Sequence, residues 1–181
     1  CELSQGSISE LGRAACSYIC AEAVQLFLDG KPIKTEEEMY NAIKRGIENY
    51  QRFNEKGIVE FSQTLDKTNT LRAKNGNPPL EKIFPENLPG VDPENLQMMK
   101  VTDSPFQAEL PASLMEIITF MSKLSQTEGK RMCGVFTCRG ETIVIVFNSA
   151  GNPILFDSHG RTYKGVSKGA SVLQFNSIKD L

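Results

Sequence analysis

Met132-Cys-Gly-Val-Phe-Thr-Cys138, the pair Arg139-Gly140, and Thr142-Ile-Val-Ile-Val-Phe147 form the stretch from which the architecture can be read. Two runs rich in β-branched and aromatic residues around a tight Arg-Gly turn predict a β-hairpin. The second run is apolar on both strand faces, so it is expected at the centre of a sheet with cover on each side. Ala150-Gly-Asn-Pro153 then turns the chain into Ile154-Leu-Phe-Asp-Ser-His159, and Val172-Leu-Gln-Phe175 offers one more strand. Short connections make these strands antiparallel neighbours, and the covering layers must come from helices upstream.

Three helices are expected there. Ser113 and Glu116 stand at capping-box spacing ahead of Leu114, Ile117, Ile118, Met121 and Leu124, in a helix stopping near Gly129. Thr35-Glu-Glu-Glu38 is a second such box, followed by the stripe Met39, Ile43, Ile47 and Tyr50 and a helix to about Glu55. Residues 7–29 open with Ser7 and Glu10 at the same spacing and continue through Ala14-Ala-Cys-Ser-Tyr-Ile-Cys-Ala-Glu-Ala-Val-Gln-Leu-Phe-Leu28. Only Glu22 and Gln25 are strongly polar in that run, so a helix buried on most sides is predicted, with Cys16 in its first turn. Cys16, Cys20, Ala23 and Phe27 share one face.

Ile58 to Phe61 reads as a short strand. From about 62 to 111 the composition changes, with seven of the nine prolines between Pro78 and Pro111, and few regular elements are expected beyond a short helix from Pro93 to Lys100. An irregular insert of this length is commonly functional, and beside an active site it would shape a substrate groove. Helices first and strands afterwards, with no βαβ alternation and no internal repeat, is an α+β order.

The chain has 181 residues, enough for one domain with a real core. Twenty basic and 22 acidic residues leave a net charge of −2 without a Lys/Arg block, which argues against nucleic acid or a membrane surface as partner. No apolar run reaches the roughly 18 residues of a membrane span. The five cysteines follow no disulfide-framework spacing, so a reducing compartment, cytosol or nucleus, is expected. Cys1 in place of an initial methionine reads as a fragment of something longer.

His159 is the one histidine of the chain, two residues after Asp157. In an extended strand side chains two apart point the same way, roughly 6.6 Å from each other, so the carboxylate can orient the imidazole. A thiol at a helix start is the matching nucleophile, because the helix dipole and a neighbouring imidazolium both favour the thiolate. Cys16 meets that condition; Cys20, one turn further in, does so less. Buried free cysteines are also ordinary core residues, a lone histidine is also an ordinary structural residue, and periodicity alone leaves both alternatives standing. Gln5, followed by Gly6, lies upstream of the Cys helix, where it reads equally as an exposed polar residue of a mobile terminus or as an amide that joins the helix-start N–H in donating to a tetrahedral oxyanion. A zinc site using Cys16, Cys20 and His159 is the weaker reading. Cys133 and Cys138 are five apart and point to opposite strand faces, and no CxxC pair is present.

Together, Gln5-Gly6, Gly12-Arg-Ala-Ala-Cys-Ser-Tyr-Ile-Cys20, and Val135-Phe-Thr-Cys-Arg-Gly-Glu-Thr-Ile-Val-Ile-Val-Phe147 leading into Ile154-Leu-Phe-Asp-Ser-His-Gly-Arg161 resemble the deubiquitinase domain of the herpesvirus large tegument proteins and similar cysteine proteases. The resemblance covers both ends of the chain and leaves about 30–110 unmatched. It implies a papain-like fold over a single catalytic domain, residues 1–181, with the Cys helix packed on the sheet that carries the histidine. It further implies Cys16 as nucleophile, His159 as general base, Asp157 as orienting carboxylate, Gln5 as oxyanion donor, no cofactor or metal, and a monomer acting on ubiquitin or polyubiquitin. On that reading Asp92, Glu94 and Asp103 of the insert would meet arginines of ubiquitin's tail. The alternatives are a protease for another ubiquitin-like modifier and a non-catalytic binding module.

Overall fold

A computed structural model describes residues 3–80, 112–138, 141–163 and 166–181. The described part is α+β. It starts with a one-turn helix α1, Gln5–Ile8, and a 3-10 turn, Glu10–Arg13, followed by α2, Cys16–Leu28, α3, Glu36–Arg52, α4, Phe61–Lys74, and α5, Ala112–Glu128. The strands are β1, Met132–Cys138, β2, Glu141–Phe147, β3, Pro153–Asp157, β4, Arg161–Tyr163, β5, Val166–Lys168, and β6, Ser171–Gln174. No described helix is long and apolar enough to cross a membrane.

The sheet order is β1-β2-β3-β6, antiparallel throughout, and β4 and β5 form a separate ribbon inserted between β3 and β6. β2 is central and covered on both sides, as its double-faced apolar pattern requires. Val144 and Val146 enter the core built by Ala15, the N-cap of α2, Ile19 and Ala23 of α2 and Ile43 of α3, while Ile145 and Phe147 pack with Ile118 of α5. α3 meets α2 at Gly46, where a Cβ would stand 2.5 Å from the Ile19 Cα. Only a residue without a side chain lets α3 approach the α2 backbone so nearly.

The Thr35 capping box forms as expected, its hydroxyl accepting from the Glu38 N–H while Glu38 accepts from the Thr35 N–H. Elsewhere the boundaries shift. The first segment is not one helix: the capping box pairs Ser4 with Ser7, the chain passes through the 3-10 turn, and α2 begins at Cys16. Ser113 lies inside the first turn of α5. Ile58 to Phe61 is no strand, since Phe61 opens α4, and the first part of the supposed irregular insert is therefore helical. The helix expected at Pro93 to Lys100, and the acidic residues Asp92, Glu94 and Asp103, lie outside the described residues.

Candidate active site

β3 ends at Asp157, so His159 is just past the strand rather than on its face. A tight Asx-type turn brings the pair together instead: Asp157 Oδ1 accepts the His159 backbone N–H at 2.9 Å and lies 2.6 Å from His159 Nδ1. Asp157 Oδ2 accepts from Arg161 Nε at 2.8 Å, and Arg161 also binds Glu141 at 2.6 Å. Both oxygens of the carboxylate are thus engaged and the ring has one orientation. His159 and Asp157 are 7% and 8% exposed.

Cys16 is the first residue of α2 and is buried against β2, so the helix N-terminus adjoins the sulfur. Its Sγ stands 3.6 Å from Thr142 Oγ1, and His159 is near enough to act on the thiol. Burial pushes the Cys16 thiol up, but the bonds from His159 and Thr142, the imidazole charge and the Ser17 N–H together bring it below its ordinary value. For His159, burial works downward and is outweighed by the bonds to Asp157 and Cys16 and by the charges of Asp157 and Glu141, which leave it raised to about 9. Opposite displacements in these two neighbouring groups favour the thiolate–imidazolium pair over the neutral pair. Asp157 is itself held below its ordinary value, since bonds from His159 and Arg161 overcome its burial.

Cys20 has a different environment. It is fully buried, its Sγ donates to the Thr142 carbonyl at 3.2 Å, and burial followed by the nearby Cys16 and Asp157 pushes it well above an ordinary thiol. Burial likewise raises Cys133 to about 12. Cys16 is therefore the activated thiol of the three. Among the described residues no group of three or more His, Cys, Asp and Glu side chains is placed to hold a metal ion.

Gln5 is brought to the same place from the far end of the chain. Its backbone N–H donates to the Ser158 carbonyl at 2.9 Å, and its Oε1 accepts from the Ser158 hydroxyl at 2.7 Å. With Oε1 on the Ser158 hydroxyl, Nε2 is the end of the amide that can serve as donor. Gly12 supports this arrangement, because a Cβ there would come within 2.0 Å of the Gln5 carbonyl oxygen.

All four residues singled out in the sequence thus converge on one corner between α1, α2 and the end of β3. Sequence reasoning missed Ser158, Thr142, Arg161 and Gly12 as parts of it. Thr142 did leave a signal: it is the one polar residue on the strand face continued by Val144 and Val146. No family model matches the chain, and neither a curated protein nor a solved structure matches it significantly.

Proposed function

We propose that the chain is a papain-like thiol hydrolase. More particularly, it is a deubiquitinase similar to the domain of the herpesvirus large tegument proteins, cleaving the bond after ubiquitin's C-terminal glycine in conjugates or chains. The observation that carries the class is the hydrogen-bonded His159–Asp157 pair beside a thiol at a helix start, Cys16, which His159 and Thr142 displace toward its thiolate. The ubiquitin substrate rests on the resemblance of the two chain ends described above.

The Cys16 thiolate attacks the glycine carbonyl carbon, and the oxyanion forms near the Gln5 amide and the N–H groups of the α2 start. His159 is held at Nδ1 by Asp157, so its other nitrogen, Nε2, delivers the proton to the departing lysine amine as the C–N bond breaks. A water then gives its proton to Nε2 and its oxygen to the thioester carbon. Ubiquitin leaves with a free carboxylate, and the thiolate–imidazolium pair is restored. Steady-state hydrolysis of a fluorophore amide of ubiquitin tests this. The reading requires turnover that disappears in Cys16→Ala and persists in Cys20→Ala; hydrolysis of another modifier's amide alone would reassign the substrate.

A further inference from the structure

We propose that Thr142 is a second donor to the nucleophile, its hydroxyl giving a hydrogen bond to Cys16 Sγ that holds the sulfur ionised, with Thr137 supporting it from the surface. The inference rests on reading Cys16 as the nucleophile.

A hydroxyl on a buried strand face costs stability unless it is bonded, and Thr142 is 2% exposed beside Val144 and Val146. Its Oγ1 has two described neighbours, Cys16 Sγ at 3.6 Å and Thr137 Oγ1 at 3.0 Å. A hydroxyl has one proton to give and lone pairs to receive. A thiolate has none to give, so with ionised sulfur Thr142 must donate to Cys16 and accept from Thr137. Thr137 is exposed, and water can satisfy whatever its hydroxyl leaves open.

The described charged and titratable groups around this sulfur are His159, Asp157, Glu141, Arg161 and Cys20. Asp157 and Glu141 oppose a negative sulfur, but Arg161 binds both. Cys20 is turned away to the Thr142 carbonyl. His159, Thr142 and the Ser17 N–H all favour the negative sulfur. The arrangement also fixes where the sulfur sits, because β2 holds Thr142 between its two partners.

The experiment measures alkylation of Cys16 by iodoacetamide against pH in the full chain, following the Cys16 peptide by mass spectrometry, with no ubiquitin present. Thr142→Val keeps the shape and removes the donor. Its midpoint should move to higher pH, and its rate on the acidic side of the wild-type midpoint should fall about tenfold, the size of one charge-assisted hydrogen bond. Thr142→Ser should restore the wild-type profile. If Thr142→Val does not fold, Thr137→Val, at an exposed site, decides: it should move the midpoint the same way by a smaller amount. A Thr142→Val profile that overlays the wild type, or an unmoved Thr137→Val where that variant decides, overturns the assignment. A wild-type Cys16 that alkylates like an ordinary thiol would instead overturn the catalytic reading itself.

Discussion

The Asp157 Oδ1 atom receives both the backbone N–H and the ring of His159, at 2.9 and 2.6 Å, so one carboxylate oxygen fixes the histidine's main chain and its imidazole together. Asp157→Asn keeps the size but exchanges a charged acceptor for a neutral amide. It should lower kcat by about two to four orders of magnitude. His159→Ala should lose at least as much while leaving the fold intact. Comparison of kcat with the urea midpoint for each variant checks this, and an Asp157→Asn enzyme within threefold of wild type would remove the orienting role.

The pH profile of kcat/KM should be a bell. Its basic limb reports loss of the imidazolium, falling as pH rises through about 9. Its acidic limb reports protonation of the thiolate, at lower pH than an ordinary thiol because Cys16 is displaced downward. Stability has a matching dependence. His159 rises on folding from its ordinary 6.5, so its contribution is full below about 6.5 and is lost as pH climbs through about 9. Asp157 is lowered, so its contribution is present above its ordinary 3.8 and is lost as pH falls further. Thermal melts between pH 3 and 10 should show both losses, and His159→Ala should abolish the alkaline one.

Ser158 connects His159 and Asp157 with Gln5, the proposed oxyanion donor, because its carbonyl and hydroxyl both hold Gln5. Gln5→Ala should cost about a hundredfold in kcat with KM little changed. Ser158→Ala should cost less, and the double variant no more than Gln5→Ala alone, since both act through the same amide. Fully multiplicative losses would show that Ser158 acts elsewhere.

The sheet and the site differ in how much of them local pattern could reveal. β2 alternates two apolar faces within six residues, so its central place was legible from Thr142 to Phe147 alone. The Thr35 box is equally local. α4 was not legible: its buried positions Thr64, Leu65, Thr68 and Arg72 have helical spacing, but three of the four are polar, and hydrophobic periodicity passes over them. Arg72 is buried because it forks onto Asp29 and bonds the Pro78 carbonyl, contacts made by tertiary structure. The Cys–His–Asp set could be proposed from residue type and spacing. Ser158–Gln5 spans 153 residues and Thr142–Cys16 spans 126, separations at which no local rule operates.

Gly46 provides a test of the packing that carries α2. Glycine to alanine in an exposed helix gains up to about 1 kcal/mol. Here the added methyl would collide with backbone atoms of Ile19, which cannot turn aside as a side chain can. Overpacking of about 1–3 kcal/mol should win. Gly46→Ala should therefore lower the free energy of urea unfolding, and an increase would contradict the close α2–α3 contact.

The central claim is that Cys16 is the nucleophile of a ubiquitin-directed hydrolase, and ubiquitin bearing a thiol-reactive electrophile at its C-terminus tests it most directly. The account predicts a covalent adduct with the wild-type chain, mapped to Cys16, retained in Cys20→Ala and absent in Cys16→Ala. An adduct that survives Cys16→Ala and vanishes in Cys20→Ala, or no adduct with a folded wild-type chain, would contradict it.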